Sequence, residues 1–207
     1  MNANTMKPAA VSNANPGDFA RRSFHDPQAG AATRVHEEEV LRLLKAQDGS
    51  TTRLCEAIAG GPIALLVLRQ GVTAEVPVIV RTLLPGERFI ERHSCLAADG
   101  EIMMDNLTYV ALNALAPQMR AALEGGSAPI GHLLESLWVR RQFLPAEAAL
   151  PLFERLWSVA GTPDAAASRA YCIGAPEGAM FVIAETYRRG MRDRRLRSQG
   201  APEAHGR

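Results

Sequence analysis

An α+β fold built around an antiparallel sheet is what this sequence predicts, on three observations. Apolar runs of strand length flank tight-turn residues twice, at Ala98-Asp99-Gly100-Glu101 and at Pro176-Glu177-Gly178. Short apolar stripes at helical spacing interrupt these runs. The regular strand–helix alternation that marks a parallel sheet is missing.

Taken in order, Val40, Leu41 and Leu44 put one apolar face on a helix over 35–46, and Glu37, Glu38 and Glu39 suit its N-terminus. Asp48-Gly49-Ser50-Thr51 offers capping oxygens to a second helix over 52–59, which Gly60-Gly61 ends. Residues 62–70, PIALLVLRQ, read as a strand. Segments 87–96 and 102–112 form the first hairpin around Asp99-Gly100. Residues 117–123 and 130–137 read as short helices, the first closed by Gly125-Gly126 and the second opened by Ser127 and Pro129. Leu152, Phe153, Leu156, Trp157 and Ala160 mark a further helix beginning near Pro145, with Trp157 in the core. Segments 169–175 and 179–187 make the second hairpin.

The chain has 207 residues, room for one domain and tails, and 47% hydrophobic against 22% charged residues is a globular composition. Residues 1–33 carry few large apolar side chains and predict a disordered N-terminal tail, leaving 34–187 as the folded domain. Residues 188–207 open with RRGMRDRRLR and read as a basic, then polar, C-terminal tail.

A net charge of +1 offers no general field for nucleic acid or an anionic membrane. The longest apolar runs, 62–68 and 179–184, are too short to span a bilayer, and the N-terminus lacks an apolar signal region, so a cytoplasmic protein is expected. Cys55, Cys95 and Cys172 form no C-x-x-C pair and read as buried small hydrophobes. No histidine pair has metal-ligand spacing, and no phosphate-binding or dinucleotide glycine pattern occurs, so neither a metal site nor a cofactor is assigned.

Two charged residues interrupt otherwise apolar strands. In 179–187, AMFVIAETY, a period of two puts Glu185 on one face with Phe181, Ile183 and Tyr187. A carboxylate there pairs with a cation or has its pKa raised, and both circumstances are common at functional sites. Arg92 shares a face with Ile90, Ser94 and Leu96; an arginine inside a sheet needs an anion, and its planar fork suits a carboxylate. Alternatively, Glu185 is an edge-of-strand carboxylate that meets solvent and Arg92 is a member of a structural ion pair.

Four segments in order resemble the chorismate pyruvate-lyase family, whose fold is shared by the ligand-sensing domains of GntR-type repressors: LLKAQDGSTTRLCE, ERHSCLAADGE, APIGHLLES and SRAYCIGAPEGAMFVIAETY. The resemblance spans 35–187 and implies short helices covering a buried ligand pocket. Carried over by position, it puts the substrate-carboxylate arginine on Arg92, the acidic residue at the ring-hydroxyl end on Glu185, a main-chain contact at Ser50 with Thr51 beside it, and an apolar wall on Ile130. Ser50 and Thr51 read equally as helix caps. The chain departs from the family where Asp105-Asn106 stand and where the last strand runs on as Glu185-Thr186-Tyr187-Arg188-Arg189 without a proline. Residues 145–167 match only as a variable connection.

The activity so implied is cofactor-independent elimination of pyruvate from chorismate to give a hydroxybenzoate, most simply 4-hydroxybenzoate, with Arg92 and Glu185 as catalytic residues. The alternative is a non-catalytic domain of the same fold that binds a small carboxylated effector; the N-terminal segment carries no helix-turn-helix. Both keep a small carboxylate as partner and Arg92 as its anchor, and neither specifies an oligomeric state.

Overall fold

Asp99 and Gly100 take positive φ angles of 47° and 77°, the conformation of a two-residue turn that matches strand twist, and so fold the chain back on itself between β2 (Phe89–Ala98) and β3 (Glu101–Ala111). The computed structural model describes residues 17, 19–26, 30–126, 128–176 and 178–191. Four further strands, β1 (Ala64–Thr73), β4 (Arg140–Phe143), β5 (Ser168–Ala175) and β6 (Gly178–Tyr187), complete an antiparallel sheet in the order β1-β2-β3-β6-β5-β4. This is the expected α+β class.

Among the described residues six α-helices flank the sheet. α1 (Ala31–Ala46) and α2 (Thr51–Ala59) precede β1, α3 (Val78–Leu83) follows it, α4 (Pro117–Glu124) and α5 (Ile130–Leu133) follow β3, and α6 (Ala146–Ala160) precedes β5. The glycine stop expected at Gly60 adopts the left-handed conformation that closes α2. Gly161, which the sequence reading did not single out, closes α6 in the same way, and Gly125 caps α4 in the right-handed conformation. α3 and β4 have no counterpart in the sequence reading, and α5 is a single turn rather than a helix over 130–137. Ser127 and Glu177, expected at a helix start and in a turn, lie outside the described residues.

Strand periodicity sorts the two faces of the sheet. On one, Leu107, Tyr109, Ala170, Cys172, Val182 and Ala184 meet Leu152, Phe153 and Leu156 of α6. Each such side chain contributes about 1.5–3 kcal/mol when fully buried. Trp157 packs against this core and donates its indole N–H to Thr186 Oγ1 at 3.1 Å, as its core assignment anticipated. On the other face, α1 and α2 cover Leu65, Leu96, Met104 and Tyr187, while α4 and α5 flank Ile90, Val110, Phe181 and Ile183. Polar groups interrupt the apolar lining between these two clusters.

The expected tails are corrected at both inner ends. Ala20 bridges Glu101, Phe24 is fully buried against α1 and Tyr187, and helix α1 already begins at Ala31. At the other end Arg188 and Met191 are buried. The reason is electrostatic as well as apolar: Asp105, fully buried, accepts from Arg21 Nη1 at 2.6 Å and from Arg188 Nε at 2.6 Å. The two departures from the family pattern, Asp105 and Arg188, are therefore partners of each other. Residues 192–207 lie outside the described residues.

Candidate functional site

Hairpin register builds a polar row across the sheet. Ser94 faces Asn106, Asn106 faces Glu185, and Glu185 faces Arg169. One step away, Arg92 faces Thr108. With α2, α5 and Arg141 of β4 these residues enclose a cavity of about 50 Å³. Roughly 150 Å³ is the scale at which a cavity takes up benzene, so this closed space holds a few waters and must widen for a ring.

Of the five residues expected at a ligand, Thr51, Arg92, Ile130 and Glu185 line this one cavity. Ser50 does not: its hydroxyl accepts from the Arg53 backbone N–H and caps α2, which is the other role its residue type offered. Ile130 sits at the start of α5, directly after Pro129.

Arg92 is 1% exposed on the central part of β2. Its Nη1 and Nη2 donate to the Ala128 and Gly126 carbonyls at 3.3 Å each, long contacts from the chain leading into α5. Its Nε is buried without a hydrogen-bond partner, and no ion pair holds it among the described residues. Burial brings its pKa down to about 10, which leaves it a cation at neutral pH.

Glu185 is 2% exposed and fully engaged. Arg169 Nε donates to its Oε2 at 2.9 Å and the Tyr171 hydroxyl to its Oε1 at 2.6 Å. Arg169 in turn donates to the Leu44, Lys45 and Gln47 carbonyls at the end of α1 and to Thr51 Oγ1. It lies between the rings of Phe143, Tyr171 and Tyr187, 5.3–5.4 Å from each centroid. Burial works against its charge, but chiefly Glu185 holds its pKa above the ordinary arginine value. Burial, reinforced by Glu185, pushes the Tyr171 phenol up. Of the two circumstances expected for Glu185, the structure shows pairing with a cation: Arg169 and the Tyr171 phenol engage both its oxygens.

Arg169 and Tyr171 are the site residues the sequence reading missed. The signal was present, since Arg169 is an arginine inside a strand in the same sense as Arg92. The three cysteines are free and buried, and burial pushes all their thiols up, away from nucleophilic chemistry. Among the described residues no cluster of His, Cys, Asp and Glu could hold a metal ion, and no helix is long and apolar enough to cross a membrane.

Helices α2 and α5 close the cavity through a glycine. A Cβ on Gly131 would collide with Thr52 Oγ1 and come within 2.7 Å of Ser50 Oγ. Around this contact His132 Nε2 lies 2.9 Å from Glu56 Oε1, and Arg53 pairs with Glu135 at 3.0 Å.

No family model matches the chain. No curated protein matches it in sequence. Among solved structures it is similar to the C-terminal domain of the histidine utilization repressor of Pseudomonas syringae, with 10% identity and a TM-score of 0.41 over 70% of this chain and 99% of that one. A GntR-family transcriptional regulator from Bacillus cereus gives 7% identity and a TM-score of 0.39 over 60% of this chain and 90% of that one. A possible transcriptional regulator of Bacillus subtilis, YydK, gives 13% identity and a TM-score of 0.37 over 62% of this chain; this chain spans 58% of its length. At such scores these likenesses carry no weight for the site, which stands on its own geometry.

Proposed function

We propose that the cavity binds a small carboxylated ligand with Arg92 as its anion anchor, and that binding rather than turnover is the role of the site. The observation that carries this reading is the state of Arg92: a buried guanidinium facing a cavity, with an unsatisfied Nε and, among the described residues, two long carbonyl contacts. A buried charge without a counter-charge costs several kcal/mol, and a carboxylate accepting from the fork would recover much of that. Glu185 supports the binding reading from the other side. Tied to Arg169 and Tyr171, it offers an incoming ligand a fixed hydrogen-bond acceptor.

Elimination of pyruvate from chorismate is the second reading, favoured by one observation: Arg92 and Glu185, the two residues that the resemblance puts at opposite ends of the substrate, line one cavity. In that reaction the ether C–O bond breaks, the ring loses a proton as it becomes aromatic, and the enolpyruvyl group leaves as pyruvate. Arg92 would hold a carboxylate and Glu185 would orient the ring hydroxyl; aromatisation supplies the drive.

Titration of the full chain with 4-hydroxybenzoate and with chorismate, alongside an assay for released pyruvate, separates the two. The binding reading expects both compounds to bind and no pyruvate to form. Arg92→Lys, which keeps the charge and loses the fork, should weaken both by about tenfold or more with the thermal transition retained. Equal release of pyruvate and 4-hydroxybenzoate would make elimination the activity, and affinity unchanged in Arg92→Lys would remove Arg92 from the site.

A further inference from the structure

We infer that Arg141 is a second anion anchor of the cavity, so that the ligand carries two negatively charged groups; this rests on the reading of the cavity as a carboxylate site. Arg141 stands on β4, the edge strand, opposite Ile173 of β5. Four inter-strand steps separate it from Arg92 on β2, yet both side chains line the same cavity. Its guanidinium carbon lies 5.9 Å from the Tyr171 ring centroid, and Nη1 donates to the Asp48 carbonyl at 2.8 Å. Those contacts orient the group without neutralising it. Its Nε, like that of Arg92, is buried with no hydrogen-bond partner, and no carboxylate pairs with it among the described residues.

Charge accounting at the wall gives the ligand class. Among the described residues the only acidic side chain lining the cavity is Glu185, and Arg169 behind it cancels that charge. Arg92 and Arg141 remain uncompensated. A cavity lined by two unpaired cations favours a dianion over a monoanion, because a single carboxylate on Arg92 leaves the half-buried Arg141 guanidinium, with its buried Nε, without a counter-charge. Planar forks on opposite strands select a ligand with carboxylates at its two ends, or one whose second anion is a phosphate or sulfate of similar reach.

The test is a calorimetric comparison of dicarboxylates of graded length, namely succinate, glutarate, adipate and chorismate, with butyrate, hexanoate and 4-hydroxybenzoate as monoanions. The wild-type chain should bind at least one dianion about tenfold or more tighter than every monoanion. Arg141→Gln should abolish that preference while changing monoanion affinity less than about threefold, and Arg141→Lys should restore much of it. Arg92→Gln should weaken both classes. Binding of monoanions and dianions with equal affinity, or loss of both in Arg141→Gln without rescue by Lys, would overturn the second anchor and leave the carboxylate site standing. A wild-type chain that binds neither class would overturn both readings together.

Discussion

Arg92, Arg169 and Arg188 are three buried arginines on one sheet, and their partners assign them different work. Arg188 is paired with Asp105 and donates to the Thr162 carbonyl, with its Nη1 left over, and Arg169 is held by Glu185 and three carbonyls, so both are charge-neutralised parts of the frame. Arg92 alone of the three faces the cavity with capacity to spare. A fourth cluster, on the opposite face of the sheet, fastens α6 by electrostatics. Glu91 accepts from Arg155 at 2.7 Å and from the Tyr109 hydroxyl at 2.9 Å, and lies 3.1 Å from His93 Nε2. Burial alone would raise the Glu91 carboxyl, but the hydrogen bonds from His93, Arg155 and Tyr109 outweigh it and bring its pKa from 4.5 to about 2. A folded-state pKa below the unfolded one means stability that is fully present above about pH 4.5 and lost as the pH falls towards 2. Glu91→Gln should therefore be less stable by roughly 2–3 kcal/mol at pH 7, and the gap to wild type should narrow on acidification through that window. Urea unfolding at pH 7, 4 and 3 measures it, and a gap that stays constant with pH would show that the cluster does not titrate in this way. Strand parity alone made Arg92 and Glu185 legible in the sequence. Their differing states were not, because the partner of Glu185 is a residue on another strand whose opposition depends on hairpin register.

Helices α2 and α5 meet at a distance that only glycine permits, which makes residue 131 a test of the lid. Gly131→Ala must push α5 away from Thr52, whose Cβ would lie 2.7 Å from the new methyl and cannot rotate aside. The expected cost is about 1–3 kcal/mol, seen as a lower thermal midpoint, with weaker binding of whichever carboxylate the wild type takes. Unchanged stability and affinity would show that α5 is not held against α2 in solution. Long elements were legible because their apolar periodicity is strong, as in α6 and both hairpins. The short ones were hidden for physical reasons. VIVRTL of α3 is β-branched and reads as strand, while RRQF of β4 is an edge strand with little apolar surface to alternate. Since β4 carries Arg141, the missed strand also concealed half of the charge at the cavity.

At the scale of the whole molecule, the segment before α1 belongs to the fold. Composition read residues 1–33 as a disordered tail, but Phe24 fills the core between α1 and Tyr187 and Arg21 neutralises Asp105. Deletion of residues 1–30 should lower the thermal midpoint markedly, and Phe24→Ala in the full chain should account for most of the loss, about 3–5 kcal/mol or roughly 10 °C. Scanning calorimetry of both variants decides it, and a deletion that melts with the wild type would restore the tail assignment. Phe24 and Phe19, two isolated aromatic residues in a run of small and polar ones, are a weak signal in sequence. The burial of Phe24 depends on a pocket that only the assembled α1, β1 and β6 create.

The glycine contact between α2 and α5 has a kinetic corollary. Thr51 and Thr52 of α2 and Ile130 and Gly131 of α5 line the cavity, so parting these helices is the movement expected to widen it for a ring, and uptake and release would then share that one event. Residence time is then governed by how often the helices part rather than by the strength of the polar grip. Observed association rates should level off at high ligand concentration, at one plateau for chemically different ligands, on the microsecond to millisecond scale of such motions.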